Sequence, residues 1–443
     1  MAQPRKRILL ISYYFGPQNA IGAVRPTKLA KYLARMGHEV TVICGVGMTG
    51  LKDPTLERDM RELTDVHVVR EWNPLRAWKA RKRGRPAAQG ASKPAAAPKG
   101  GAGKKASLLH RAADAAYLYL WWLADRSFAH RAIGELKRLN GPYDVVFSTY
   151  APFSVHEIAR EAKRRGIARK WIADFRDEVN LSFGWQAGRK ARYMRMLRRE
   201  ADVLSAVSQG FLEMMNFQDV GRVLSNGYDR EDLPAASAPA GDGRLRVVYC
   251  GTLSMGRRNL ASRDITPMFR ALRALIDGGA LPPERLSLVY AGSESALFRA
   301  QAAQCGLEGC VEDHGLVKRD ESIRLQQGAD ILLMASWHMQ AQRGILTGKL
   351  FEYMMMDKPI VCCMAGDAPD SGVKRVLQET GMGLCCEAAC AQEDEAALGR
   401  YLAELVRQWK LGKPLLAAKR QAQVNGYAYP ELARTLDSWM DEA

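Results

Sequence analysis

The chain has no apolar stretch long enough to cross a bilayer. Its longest uninterrupted apolar run, AAYLYLWWLA at residues 115–124, falls well short of the about 20 residues a spanning helix needs. The basic and apolar start, MAQPRKRILLISYYFG, lacks a small-residue cleavage site and reads as a first strand. Both absences point to a cytosolic protein. Cysteine pairs at metal or redox spacing are missing as well: there are nine cysteines and no C-x-x-C. The doublets Cys362–Cys363 and Cys385–Cys386 lie in apolar strand-like runs, where small buried side chains in a reducing compartment are expected. The loop after the first strand offers only Gly16 and Gly22, and the second strand ends in ICGVGM with no acid, which excludes a nicotinamide site built on those strands. GILTGK and GAGKKAS lack the four-residue gap of a phosphate-binding P-loop. Without an Asp-x-Asp triplet, a metal-bridged diphosphate has no evident ligand set.

What is present is a long globular chain. At 443 residues, with 47% apolar and 8% aromatic content, two domains are expected. The formal charge of +17 is uneven. From Arg76 to Lys105 there are ten Lys/Arg and no acid, in a Pro/Gly/Ala-rich stretch that cannot build a core and is expected to be disordered. Such a segment fits anionic lipid head groups, nucleic acid or no particular partner, and of these nucleic acid is not expected.

RILLISYYF (7–15) is a buried-strand pattern, followed by the loop GPQNAIGAVRP and a helix in TKLAKYLARMG, with Leu29, Leu33 and Met36 on one face. HEVTVICG then completes a βαβ unit, which implies a parallel sheet. Further strands are expected at 65–72, 143–149, 169–175, 202–208 and 221–227, and, after a Pro/Ala/Gly-rich segment, at 245–251, 286–292, 309–315, 330–336, 358–364 and 382–387. The fold class is therefore α/β, with two Rossmann-like domains facing a central cleft and ligands beyond the carboxyl ends of the strands. The boundaries read as an N-terminal domain 1–227 with its basic insertion 76–107, a linker 228–244, a C-terminal domain 245–425, and a last helix in 426–443 that packs back on the N-terminal domain.

In GILTGKLFEY (344–353), a helix starting near Thr347 puts Lys349 and Glu352 on one face of its first two turns. Two readings stand. One is a surface ion pair worth a few tenths of a kcal/mol. The other is a nucleotide site, with the cation and helix-end amides on phosphate and the carboxylate on vicinal hydroxyls. Arg257 and Arg258, just past the strand LRVVYCG, form a second cationic loop suited to diphosphate oxygens.

SYYFGPQNAIGAVRPTKLAKYLARMGHEVTVI, WIADFRDEV, VLSNGYDRED, YCGTLSMGRR and GILTGKLFEYMMMDKPIV, in this order, resemble the successive signatures of GT-B glycosyltransferases of family 4, and more closely the branch of bacterial surface-polysaccharide clusters. The resemblance spans nearly the whole chain outside 76–107. It implies retaining, metal-independent transfer from a nucleotide sugar to a saccharide or lipid-linked acceptor, with no cofactor. It places Arg257 or Arg258, Gly348, Lys349 and Leu350 at the diphosphate and Glu352 at the ribose. The loop of Gly22, Ala23 and Arg25 approaches the donor, and Asp174, Arg176 and Asp177 stand on the acceptor side, Asp177 nearest the reacting centre. For Asp174 and Arg176, a buried structural ion pair is the competing reading. One position departs: the family has two glutamates eight apart, and here the first is Gly344, leaving sugar recognition to backbone amides or neighbours such as His338. The nucleobase is expected near His314 and Val317. Two other readings share the scaffold, a sugar-nucleotide epimerase and a non-catalytic binder.

His156 begins a helix after a strand end and is a candidate for lining the cleft, whereas His38, His67, His110 and His130 show no partner pattern. The segment LLHRAADAAYLYLWWLADRSFAHRAIGEL reads as one helix, either a core helix or, with the basic insertion, a face that docks on an anionic membrane.

Overall fold

The computed structural model describes residues 4–47, 50–76, 108–177, 179, 187–234, 242–254, 263–340, 343–416 and 418–442. The expectations for Arg257, Arg258 and all but the first residue of the basic insertion lie outside the described residues.

All thirteen expected strands form, at bounds that differ from expectation by up to four residues at an end: β1 (Arg7–Ser12), β2 (Glu39–Gly45), β3 (Asp65–Val69), β4 (Tyr143–Tyr150), β5 (Ala168–Phe175), β6 (Val203–Ala206), β7 (Gly221–Val223), β8 (Leu245–Cys250), β9 (Leu286–Ala291), β10 (Val311–Asp313), β11 (Ile331–Trp337), β12 (Ile360–Ala365) and β13 (Gly383–Glu387). They make two sheets, a seven-stranded one in the order β3-β2-β1-β4-β5-β6-β7 and a six-stranded one in the order β10-β9-β8-β11-β12-β13. Pairing is parallel at β1–β2, β1–β4, β8–β9 and β8–β11. By its contacts the chain divides into two compact units, residues 1–205 with 437–443, and residues 206–436.

In the first unit the strands read as continuous apolar runs because helices cover both faces of the sheet. Leu9, Leu10, Val146, Phe147, Trp171 and Ile172 are fully buried. The first helix departs from expectation. It spans Ile21–Arg35 and so absorbs Gly22, Ala23 and Arg25 from what reads as a loop, with Pro26 inside it. Proline lacks the amide that would bond the carbonyl four residues back, which frees the Gly22 carbonyl. The Arg176 guanidinium, just past β5, donates to that oxygen. A long-range cation replaces the missing local bond, and the helix survives its proline. Residues 437–443 join the same unit: Lys6 Nζ donates to Asp437 at 2.7 Å, His38 Nε2 lies 3.1 Å from the same carboxylate, and Lys170 Nζ donates to the Trp439 carbonyl at 2.9 Å.

In the second unit successive strand residues serve opposite faces. Val247, Tyr249, Leu288, Tyr290, Leu333 and Cys363 pack in one buried cluster, and Val248, Cys250, Val289, Leu332, Met334 and Cys362 in another. The cysteine doublets are thereby split, since Cys386 belongs to the first cluster and Cys385 to the second. All nine cysteines are free and these four are buried; burial raises the Cys386 thiol pKa to about 12. They are packing residues.

Candidate functional site

In each sheet the winding reverses at one pair of neighbours, β1/β4 and β8/β11, and crevices for ligands open outside the carboxyl ends of strands at such switch points. In the second unit the ends of β8, β9 and β10, beside this switch point, are tied together by backbone. The Gly251 amide donates to the Ala291 carbonyl at 2.8 Å, and the Gly292 amide to the Gly315 carbonyl at 2.8 Å. Side chains hold the loop after β8 rigid. Tyr290 Oη donates to the Gly251 carbonyl (3.0 Å), Tyr249 Oη to the Thr252 carbonyl (2.7 Å), and the Leu253 and Ser254 amides donate to Glu294 Oε2 (2.5 and 2.9 Å).

Onto this platform the helix Gly348–Met354 brings Lys349. The ammonium sits 4.7 Å from the Tyr249 ring centroid, in the space a Cβ on Gly251 would fill. Among the described residues no carboxylate pairs with it. Desolvation, followed by the nearby Arg263 cation, lowers its pKa to about 8. Arg263 is itself fixed, with Nη1 on the Thr252 carbonyl at 2.6 Å and its guanidinium 4.9 Å from the Trp337 ring centroid. The result is a partly desolvated pair of cations at the switch point, an arrangement that is costly alone and favourable to a multivalent anion.

Glu352 shares the helix with Lys349 but does not pair with it. Its Oε1 accepts from Gln326 Nε2 at 2.8 Å, and its Oε2 lies 3.2 Å from Arg319 Nη1. The helix Arg319–Gln327 thus orients a carboxylate whose side chain stays 24% exposed. Leu350 is fully buried and anchors the helix, whereas a Cβ at Gly348 meets nothing within 4 Å. The helix is only seven residues long, so its dipole is small and the side-chain cations dominate. Past β10, His314 pairs with Glu312 at 3.1 Å, and Val317 packs onto the cluster containing Cys250 and Leu350. His338 is buried. Its backbone amide donates to the Ala365 carbonyl at 2.8 Å, and burial lowers its pKa, with Glu387 opposing and Arg343 and Arg375 reinforcing.

Gly344 has φ +80°, a region that favours glycine. Its carbonyl accepts from Ser208 Oγ at 2.6 Å, and a Cβ there would stand 2.6 Å from both Gly210 C and Phe211 N. The backbone that comes close to Gly344 is therefore that of 210–211, inside the same unit.

In the first unit Asp174 is fully buried and fully engaged. It accepts from Arg25 Nη2 (2.8 Å), Thr149 Oγ1 (2.7 Å) and Ser205 Oγ (2.8 Å). Arg25 is directed into this network and not toward solvent; it is 2% exposed. Arg176 donates through Nε to the Tyr150 carbonyl at 2.6 Å and lies 5.4 Å from the Tyr14 ring centroid. Burial lowers its pKa, with Asp177 the largest opposing influence. A Cβ on Gly22 would collide with this guanidinium. The Asp177 side chain is 66% exposed, 4.0 Å from Arg176 Nε, so of the three it alone offers a free carboxylate surface. His156 is a core residue: its Nδ1 meets Ser148 Oγ at 2.8 Å, it packs among Trp171, Phe175 and Tyr193, and burial lowers its pKa to about 3.

Lys349 and Glu352 were legible in the chain, whereas Arg263, Glu294, Arg319, Gln326 and Trp337 were not. Glu294 in AGSES follows a strand end and opens a helix, the one local signal among the five. The others reach the site through separations that leave no local pattern.

No family model and no curated protein matches the sequence. Solved structures do. The N-terminal domain of trehalose-6-phosphate phosphatase from Candida albicans aligns with TM-score 0.58 at 14% identity, over 99% of this chain and 97% of that one. The lipopolysaccharide outer core galactosyltransferase WaaB aligns with TM-score 0.55 at 11% identity (98% and 99%), and sucrose-phosphate synthase from Thermosynechococcus elongatus with 0.53 at 13% (98% of each). UDP-GlcNAc 2-epimerase from Neisseria meningitidis aligns with 0.52 at 9% identity (98% and 99%). At these identities the likeness is one of fold, and the fold is GT-B, with two Rossmann-like domains.

Proposed function

We propose that this protein is a retaining, metal-independent glycosyltransferase that moves a sugar from a nucleotide sugar to a saccharide or lipid-linked saccharide acceptor in polysaccharide biosynthesis, on the cytoplasmic face of the membrane. The observation that carries the reading is the Lys349 ammonium, desolvated and without a carboxylate partner among the described residues, over Tyr249 and Gly251, beside Arg263. Transfer asks the protein to stabilise charge growing on a departing diphosphate, and fixed cations in a desolvated site do this without reorganising. Arg257 or Arg258 joins Lys349 and Arg263 at the diphosphate, Glu352 takes the ribose hydroxyls, and the backbone at 314–317 receives the base. The leaving phosphate accepts the proton of the acceptor hydroxyl as the new glycosidic bond forms. Asp177 is the polar group assigned to the acceptor side, held next to the Arg176 cation. Family 4 membership, retention and freedom from metal rest on the five ordered motifs.

Epimerisation of a nucleotide sugar is the second reading, since an epimerase and the transferases align at nearly equal TM-scores (0.52 against 0.53 and 0.55). It draws on the same diphosphate contacts. The deciding experiment titrates UDP, GDP, ADP and dTDP calorimetrically into wild type and Glu352→Ala, then follows the matching nucleotide sugar by NMR with EDTA present, with and without added saccharide acceptors. Selective binding of one nucleotide, weakened in the variant, together with acceptor-dependent release of that nucleotide and an unchanged anomeric configuration, is the expected result. A sugar epimerised without acceptor replaces transfer with epimerisation. Binding of none of the four removes donor chemistry altogether and leaves a non-catalytic binder.

A further inference from the structure

Glu352 is held by a single neighbour, the helix Arg319–Gln327. Arg319 and Gln326 are about two turns apart, which puts both on the same face of that helix, with Ser322 between them. Gln326 is 1% exposed. Its Nε2 donates to Glu352 Oε1 at 2.8 Å and to Ser322 Oγ at 3.2 Å, while its own Oε1 is buried with no hydrogen-bond partner among the described residues. A buried amide oxygen left unpaired is costly. Turning the amide over would offer that oxygen the Ser322 hydroxyl, but would set it against the Glu352 carboxylate, acceptor on acceptor. The fold gives up the carbonyl's bond to keep the carboxylate's. From the far end of the same face, Arg319 Nη1 lies 3.2 Å from Glu352 Oε2. The Arg319 link is the more exposed of the two, so Gln326 carries the larger share. Each carboxylate oxygen thus has its own donor from one helix, and two points fix the plane of the group.

An ionised carboxylate accepts at about four sites over its two oxygens. With one taken on each, both oxygens keep acceptor capacity, and the side chain stays partly exposed. A carboxylate fixed in plane and open at both oxygens fits two hydroxyls on adjacent carbons, one to each oxygen. A single hydroxyl leaves one oxygen unused. We infer that Gln326 and Arg319 are positioning residues that make Glu352 a two-point receptor for a vicinal diol, so that the donor nucleotide is a ribonucleotide and not a 2′-deoxyribonucleotide. This role presumes that Glu352 meets the ribose, as in the proposed function; of the four nucleotides named there, dTDP is then not the donor's. Loss of one hydroxyl from a site built to bond two is expected to cost about tenfold or more in affinity.

The test is calorimetric titration of UDP, GDP, ADP and their 2′-deoxy counterparts, with dTDP, into the full chain and its variants. Wild type should bind one ribonucleoside diphosphate about tenfold or more tighter than its 2′-deoxy counterpart. In Gln326→Leu, which keeps most of the volume but loses the amide, and in Arg319→Ala, the ribonucleotide should weaken until the preference is about threefold or less, while the 2′-deoxy form holds within about twofold of its wild-type value. The 2′-deoxy form is the internal control, since damage to the fold of the site weakens both forms together. Arg324→Gln, at an exposed position of the same helix paired with Glu321, should keep the wild-type preference. Equal affinity of the ribo and 2′-deoxy forms in wild type, or dTDP as the tightest ligand, overturns the inference while the nucleotide site itself stands. An undiminished preference in folded Gln326→Leu and Arg319→Ala overturns the positioning role. So does parallel weakening of both forms, which makes the two residues structural only. Binding of no nucleotide removes the nucleotide reading, and this role with it.

Discussion

Lys349 Nζ stands 4.7 Å from the Tyr249 ring centroid and in the place of a Gly251 side chain, so the fold has cleared space for one ammonium at the end of β8. The ring face gives the cation partial compensation, and no carboxylate among the described residues supplies the rest. Replacing Lys349 by Ala should therefore cost turnover far more than stability. Loss of about 10²–10³-fold in kcat is expected, with a melting temperature at or above that of wild type because a desolvated charge has been removed. Turnover within threefold of wild type in a folded variant defeats the diphosphate role.

The same lysine sets a pH dependence. Its pKa is lowered to about 8 by desolvation and by Arg263, so the free site loses its charge as pH rises through that value. Nucleoside diphosphate affinity should hold from pH 6.5 to 7.5 and then fall by up to about tenfold per unit above pH 8 until the bound-state pKa is passed. The stability sign is opposite. The unfolded chain keeps this proton up to its ordinary lysine pKa, so between about pH 8 and that value it binds more protons than the fold, and Lys349 makes the fold relatively more stable as pH rises. Calorimetric titrations at stepped pH in wild type and Lys349→Met check the first statement; identical profiles refute it.

Asp174 and Asp177 are three residues apart and should behave as different kinds of residue. Asp174→Ala strands the buried Arg25 cation and is expected to cost about 3–5 kcal/mol in urea unfolding. Asp177→Asn, at a largely exposed side chain, should stay within about 0.5 kcal/mol of wild type while lowering kcat by about 10²-fold or more. An active Asp177→Asn enzyme removes that residue from the reacting centre.

What could be read from the chain depended on how far apart the deciding groups lie. Strands were legible because a parallel strand buried on both faces is largely an apolar run in itself, as ILLI at 8–11 and VVF at 145–147 are. The start of the first helix was not, because Pro26 looks like a stop and the group that excuses it, Arg176, comes 150 positions later in the chain. The i,i+3 spacing of Lys349 and Glu352 correctly put both on one helix, but it could not tell an ion pair from a site. That the two do not pair depends on Tyr249, Gly251, Gln326 and Arg319, whose approach is tertiary. Likewise the strand-to-helix position of His156 was visible, and its burial against Trp171 and Phe175 was not.

That buried histidine gives the first unit an acid sensitivity. With its pKa lowered to about 3 by burial, His156 stays neutral in the fold while the unfolded chain takes up a proton below about pH 6.5. Stability is therefore lost as pH falls below the unfolded value, and the loss continues until about 3. Its contribution is about 1.4 kcal/mol per pH unit across that window. In His156→Phe, unfolding followed between pH 6 and 4.5 should show a slope shallower than wild type by about that amount. Equal slopes mean the imidazole is not shielded.

Placing a glutamate at 344, where the motifs the chain resembles carry one, tests whether Gly344 is a missing sugar contact or a structural requirement. The residue has φ +80°, and any Cβ would stand 2.6 Å from the backbone at Gly210 and Phe211. Strain of about 1–3 kcal/mol is expected from the conformation alone, and the collision adds to it because backbone cannot swing aside as a flexible side chain can. Gly344→Ala and Gly344→Glu should both lower the stability of the second unit, by similar amounts, and neither should raise kcat with any nucleotide sugar. Ser208→Ala, which removes the hydroxyl bonded to the Gly344 carbonyl, should cost about 1 kcal/mol and leave the glycine requirement in place. If Gly344→Glu is as stable as wild type and gains turnover, the loop is free to move, and the glycine marks a missing sugar contact instead of a close backbone approach.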